Sequence, residues 1–167
     1  MMGAGKTVVA EALAGELAWS AVDTDHLVEQ RAGMKVPQLF ALKGEGEFRE
    51  MESAVIASLL GELGPLVVSV GGGAVTRASN REVMRRLGTV VWLRADPATL
   101  LARVGSGEGR PLLGGSGVAS AGARLKELAE QRRPLYEKLA DLVIETDQLS
   151  PAEVAREIVR ELALCKG

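Results

Sequence analysis

Short apolar runs alternate with longer stretches of helical periodicity along this chain, and that alternation restricts the fold more than any other feature. Residues 18–22, 66–70, 89–93 and 142–145 read as strands. Residues 7–17, 25–32, 37–42, 47–60, 77–87 and 97–104, and a stretch opening at Pro151, read as helices. Strands separated by helices cannot pair as tight hairpins. They pair in parallel, with the helices covering the sheet, which makes the fold α/β. The run at 66–70 is apolar but for Ser69, as suits a strand covered on both faces, and it stops at Gly71, Gly72 and Gly73. With 167 residues, 47% of them hydrophobic, the chain suffices for one compact core, so a single domain is expected.

The helix at residue 7 opens directly after Gly3, Ala4, Gly5 and Lys6. Together with Thr7 these residues match the end of a Walker A motif, in which successive backbone N–H groups cradle phosphate at a helix N-terminus. Glycines let the backbone approach the phosphates, Lys6 supplies a point charge, and the Thr7 hydroxyl can ligate Mg²⁺. The complete motif has a further glycine, separated from Gly5 by four residues and preceded by an apolar strand. Counting back places that glycine just before Met1, so the first strand and first motif glycine are expected to be missing from the chain. On these residues alone, a flexible N-terminus that merely caps a helix is an equal alternative.

Further along are groups with the chemistry a phosphoryl acceptor site needs. Asp23 and Asp25 follow a short strand, and strand ends at the C-terminal edge of a parallel sheet face the ligand crevice. Asp23 suits a Mg²⁺ shell, and Asp25 suits accepting a hydrogen bond and a proton from an attacking hydroxyl; the plain alternative makes Asp25 only the N-cap of the next helix. Arg49 and Glu52 share a helix face at i, i+3, either as an exposed ion pair or as a carboxylate grip oriented by the glutamate. Three glycines at 71–73 cost conformational entropy unless something must pass close to the backbone. The segment 105–122 is rich in Gly, Ser and Ala and reads as a mobile lid carrying Arg110, which can neutralise charge on a transferring phosphoryl group or merely solvate the loop. Arg132 follows on a helical pattern as a second clamp or a plain surface charge. His26 reads as a surface residue, and Trp19 and Trp92 as packing residues.

A net charge of -2 provides no field to hold nucleic acid or an anionic membrane, so any anion site has to be local. No run reaches the ~18 apolar residues of a membrane helix, and no signal peptide opens the chain. The lone Cys165 forms no disulfide pair or metal cluster and suits a reducing cytoplasm.

Taken in order, GAGKT, VDTD, GEGEFREME, GGGAV, RPLL and RRPLY resemble the motif series of the shikimate kinases over essentially the whole chain. The resemblance implies a three-layer P-loop kinase fold of the nucleoside-monophosphate-kinase type, with a substrate-binding helical region at about 25–60 and a lid at about 105–122. It implies transfer of the γ-phosphoryl group of ATP to shikimate, with Mg²⁺, in aromatic amino-acid synthesis. By resemblance, Gly3, Ala4, Gly5, Lys6 and Thr7 serve the nucleotide phosphates, and Thr7 and Asp23 the metal. Asp25, Arg49, Arg132 and the glycines Gly71, Gly72 and Gly73 serve shikimate, with Glu52 behind Arg49. Arg110 acts near the transferred phosphate, and Arg103 and Pro151 flank the adenine. Lys6, Asp25 and Arg110 are the expected catalytic residues. A cytoplasmic monomer without nucleic-acid or membrane partners is expected. Two alternatives stay open: a related small-molecule kinase such as a gluconate kinase, or a kinase fold that binds nucleotide or metabolite without turnover.

Overall fold

The computed structural model describes residues 1–104 and 118–164. Four strands, β1 (Ser20–Asp23), β2 (Leu66–Ser69), β3 (Val91–Arg94) and β4 (Leu142–Glu145), alternate with seven helices. The helices are α1 (Lys6–Leu17), α2 (Thr24–Ala32), α3 (Val36–Ser58), α4 (Ala78–Leu87), α5 (Pro97–Val104), α6 (Val118–Leu139) and α7 (Pro151–Leu164). Every strand pairing is parallel, as the alternation predicts.

The pairing itself differs from one continuous sheet. Among the described residues, β1 pairs with β2 in register Ser20 with Leu66, β3 pairs with β4 in register Val91 with Leu142, and no ladder joins the two pairs. Apolar packing joins them instead. One buried cluster takes in Val9 and Leu13 of α1, Leu93 of β3, Ile144 of β4 and Ile158 of α7, with Val67 of β2 packed against it.

Local chemistry fixes the element ends. Helix α1 opens at Gly5, whose φ of 76° is left-handed and free of strain only for glycine. Asp23 caps α2, its carboxylate accepting from the backbone N–H groups of Asp25 and His26. Ser150 and Glu153 form a reciprocal capping box around Pro151 at the first position of α7.

One helical prediction holds and another changes. The stretches 37–42 and 47–60 are two helical segments within α3 that meet at Gly44, where φ 81° and ψ 172° leave the helical region, and the second closes in a 3₁₀ turn over Leu59–Gly61. Helix α6 starts at Val118, inside the segment expected to be loop to residue 122. The rest of that segment, Arg110 included, lies outside the described residues, as does Cys165.

Candidate active site

The N-terminus of α1 and the C-terminal ends of β1 and β2 converge on one cleft of about 550 Å³. Gly3, Gly5, Lys6 and Thr7 line one part of it, and Asp25, Arg49, Glu52, Arg132 and the three glycines 71–73 line another. This is the edge of a parallel α/β fold where ligands bind, because chain crossovers leave a crevice there. Most residues singled out in the sequence therefore meet in space.

Gly5 gives α1 no side-chain cap, so the first-turn N–H groups stay available at the end of the helix where the dipole is positive. Lys6 Nζ donates to the Met1 carbonyl at 2.9 Å beside them. Thr7 Oγ1 donates to Asp23 Oδ2 at 2.7 Å, while Oδ1 of the same carboxylate caps α2. Asp23, not Asp25, is thus the helix cap, which removes the plain alternative for Asp25. Ala4, at 1% exposure, packs in the core behind the loop.

Asp25 sits in the first turn of α2, with Oδ1 buried and without a hydrogen-bond partner among the described residues. Burial, followed by the neighbouring Asp23 charge, raises its pKa above the ordinary carboxylate range. Glu52 is fully buried on α3 and holds Arg49 Nη1 at 2.7 Å, while Glu45 accepts from Arg49 Nε and Nη2 on the other side. Burial raises the Glu52 pKa too, against the opposing pull of Arg49. The ion pair is buried, so the exposed-pair alternative falls.

The glycine turn explains itself through what a Cβ would strike. At Gly73 it would lie 2.3–2.5 Å from the Arg49 guanidinium, and at Gly71 it would lie 2.6 Å from Glu52 Oε1 and 2.7 Å from Asp25 Oδ1. The backbone runs against the charged groups, and a Cβ at either position would displace them. The buried Thr24 hydroxyl accepts the Gly71 N–H at 3.1 Å, tying the end of β1 to the end of β2. Arg132 donates to the Gly72 carbonyl at 3.1 Å, as does the Tyr136 hydroxyl at 2.6 Å.

Arg132 is 5% exposed and has no carboxylate partner among the described residues. Burial lowers its pKa, yet a guanidinium keeps its proton throughout the physiological range. A buried cation facing a cleft without a counter-ion is costly to keep unless an anion is to be bound there.

Arg103 also lines the cleft, its guanidinium fixed by Thr146 Oγ1 at 3.2 Å and the Thr146 carbonyl at 2.7 Å. Pro151, exposed at the start of α7, is not among the residues lining the cleft. His26 is exposed, Trp92 is buried, and Trp19 is 42% exposed, more than a packing residue should be. Thr24 and Tyr136 fall inside VDTD and RRPLY but carry no role of their own in the sequence reading, and Thr146 lies outside those motifs, since each acts through a contact to a distant backbone group.

A family model described as shikimate kinase matches residues 2–163. A shikimate kinase of Thiobacillus denitrificans is 41% identical over all of this chain and 89% of its own length. One of Symbiobacterium thermophilum is 45% identical over 97% of this chain and 92% of its own. Among solved structures, the shikimate kinase of Acinetobacter baumannii in complex with shikimate superposes with a TM-score of 0.93 at 36% identity, covering 99% of this chain and 90% of that one. The Aquifex aeolicus shikimate kinase gives 0.80 at 31% identity, covering 98% and 92%. With the sequence match, the parallel α/β fold and the convergent cleft in agreement, the chain belongs to the shikimate kinase family and is an ATP-dependent phosphotransferase.

Proposed function

We propose that the two parts of the cleft divide the reaction, the α1 end taking the ATP phosphates and the basic end taking shikimate for phosphorylation at its 3-hydroxyl. The observation that supports this best is Arg132, a buried guanidinium without a carboxylate partner among the described residues, in the same cleft as Arg49 and Asp25. Two guanidiniums there suit a substrate carboxylate, and a carboxylate with a free buried oxygen suits a substrate hydroxyl.

On this reading Arg49 and Arg132 grip the carboxylate and the glycine turn forms the wall beside the ring. Asp25 Oδ1 accepts the hydrogen bond of the attacking hydroxyl. As the new O–P bond forms and the bond to the β-phosphate oxygen breaks, the hydroxyl proton passes to Asp25 and then to solvent. A raised pKa makes Asp25 a better proton acceptor than an exposed carboxylate. Lys6 and the first-turn N–H groups of α1 stabilise charge on the transferring group, and Arg103 lies toward the base. Arg110, which the family resemblance implies acts near the phosphoryl group, lies outside the described residues.

Thr7 and Asp23 fit a metal of one kind. The described residues contain no group of three or more His, Cys, Asp or Glu that could hold an ion, whereas Thr7 Oγ1 and Asp23 Oδ2 lie 2.7 Å apart beside the phosphate loop. A pair of protein oxygens suits Mg²⁺, which keeps waters and takes its other ligands from nucleotide phosphates. Bound there, Mg²⁺ would neutralise charge on the β- and γ-phosphates. The described helices include none long and apolar enough to cross a membrane, and a monomer acting in aromatic amino-acid synthesis fits the reading.

The test is ADP release in MgATP with shikimate, gluconate or no acceptor, repeated with Arg132→Ala. Shikimate-dependent release is expected, with the substitution raising KM for shikimate far more than KM for ATP. Release equal with gluconate, or unchanged shikimate kinetics in Arg132→Ala, would sink the assignment.

A further inference from the structure

Tyr136 has no part in the roles assigned above, yet its hydroxyl makes one of the shortest contacts at the cleft. Tyr136 and Arg132 stand one helical turn apart on α6 and therefore share a face. Both donate to the same atom, the Gly72 carbonyl oxygen, at 2.6 Å from the hydroxyl and 3.1 Å from the guanidinium. A carbonyl oxygen has two acceptor sites, so the two donors fill it. The Tyr136 ring is fixed from behind by Trp92 of β3, stacked at 5.4 Å between centroids with 15° between planes. Burial pushes the Tyr136 pKa up to about 12, so the hydroxyl remains protonated and a donor wherever the enzyme works.

Arg132 thus has two claims on it, the Gly72 carbonyl in the free protein and the substrate carboxylate in the reading above, on which this inference rests. We propose that Tyr136 is a positioning residue, whose hydroxyl keeps the Gly72 carbonyl satisfied and the glycine turn in place when Arg132 swings to a carboxylate ligand. Without that hydroxyl, Arg132 could reach the ligand only by abandoning a partly buried carbonyl or by splitting its donors between the two. The turn that Gly72 belongs to also contains Gly71 and Gly73, which lie against Asp25, Glu52 and Arg49, so its displacement would disturb the acceptor side of the cleft first. Gly72 also faces the Met1 backbone, whose carbonyl accepts from Lys6, so the nucleotide side would feel the displacement only through that one contact and less strongly.

The experiment is Tyr136→Phe in the full chain, followed by steady-state kinetics in both substrates and by thermal unfolding. The phenyl ring preserves the stack on Trp92, so Tm should stay within a few degrees. KM for shikimate should rise by roughly tenfold, the scale of one partly buried acceptor left without its donor, while KM for ATP stays within about twofold. Trp92→Phe is the packing control: it weakens the stack but keeps the hydroxyl, so it should lower Tm and leave KM for shikimate within about twofold. Equal KM for shikimate in Tyr136→Phe and the unsubstituted chain overturns the proposal, as does a parallel rise in KM for ATP. Loss of a cooperative thermal transition in Tyr136→Phe would make the role one of packing and also overturn it. If the unsubstituted chain shows no shikimate-dependent ADP release, the substrate reading itself fails, and the inference with it.

Discussion

Arg49 Nη1 donates to Glu52 Oε2 at 2.7 Å, and the other Glu52 oxygen is buried with no hydrogen-bond partner among the described residues. The pair holds the guanidinium over the glycine turn but leaves half of its own carboxylate unsatisfied. Such a site is organised for binding at the expense of stability. Removing the acid leaves Arg49 with only the half-exposed Glu45. Glu52→Ala should therefore cost about 3 kcal/mol, the lower end for a broken buried pair, and lower Tm by roughly 10 °C. Glu52→Gln, which keeps an acceptor for Arg49, should lose much less. Urea unfolding of the two variants checks the difference, and equal losses would mean that the lost charge accounts for the effect and that neither the retained acceptor nor the filled volume matters.

Gly73→Ala separates binding from folding. The added Cβ would meet the far end of a flexible side chain, the Arg49 guanidinium at 2.3–2.5 Å, and the backbone at Gly73 has an ordinary φ of -95°. Arg49 can move aside, so Tm should change by only a few degrees. The displaced guanidinium should raise KM for the acceptor by roughly tenfold or more, the scale of one charge-assisted hydrogen bond, with KM for ATP nearly unchanged. Kinetics in both substrates test this, and an unaltered acceptor KM would remove Arg49 from the site.

How far the sequence reaches depends on the range of the physics involved. Residues 97–104 and 142–145 are placed correctly because their signals are local, a proline at a helix start and an apolar β-branched run. Gly44 and Gly46 suggest two helices, and the backbone does leave the helical region at Gly44, while the packing of Leu39, Phe48 and Val55 with Val28 holds the two segments together. Asp23, Asp25, Arg49 and Arg132 are legible as candidates because charge placed after a strand or on a helix face is a pattern. Their order of duties is not, since which aspartate caps α2 turns on a two-residue shift of the helix start. Thr24 and Tyr136 escape because their hydrogen bonds reach Gly71 and Gly72 across 47 and 64 residues, and no local pattern encodes such a contact.

The pH dependence of stability follows from two carboxyls that are hard to ionise. Burial raises the pKa of both Asp25 and Glu52 above the unfolded values. Between the ordinary carboxylate range and those raised values the folded state binds more protons, so stability falls as pH rises through that window and is fully present below it. Asp25→Asn removes the titrating group and the burial cost of its charge. Tm at pH 7 should rise, and the decline with pH above the ordinary carboxylate range should flatten while phosphoryl transfer is lost. Thermal scans across that range decide it, and an unchanged slope would place the raised pKa elsewhere.

Asp23 performs two tasks with two oxygens, and substitution can divide them. Oδ1 accepts the N–H groups of Asp25 and His26 at 2.9 and 3.3 Å, and Oδ2 accepts the Thr7 hydroxyl at 2.7 Å. Asparagine retains a cap oxygen and ranks with aspartate at that position, whereas alanine removes it at a cost of about 1 kcal/mol. Asp23→Asn should therefore fold like the unsubstituted chain while losing the negative charge a divalent cation requires beside Thr7. Asp23→Ala should lose both, with Tm lower by about 2–4 °C. Transfer rates measured over a Mg²⁺ titration should shift to higher Mg²⁺ in both variants, since both lack the charge, with only alanine lowering Tm. If asparagine left the Mg²⁺ dependence untouched, Asp23 would be a helix cap alone and the metal would have to find its protein oxygen at Thr7.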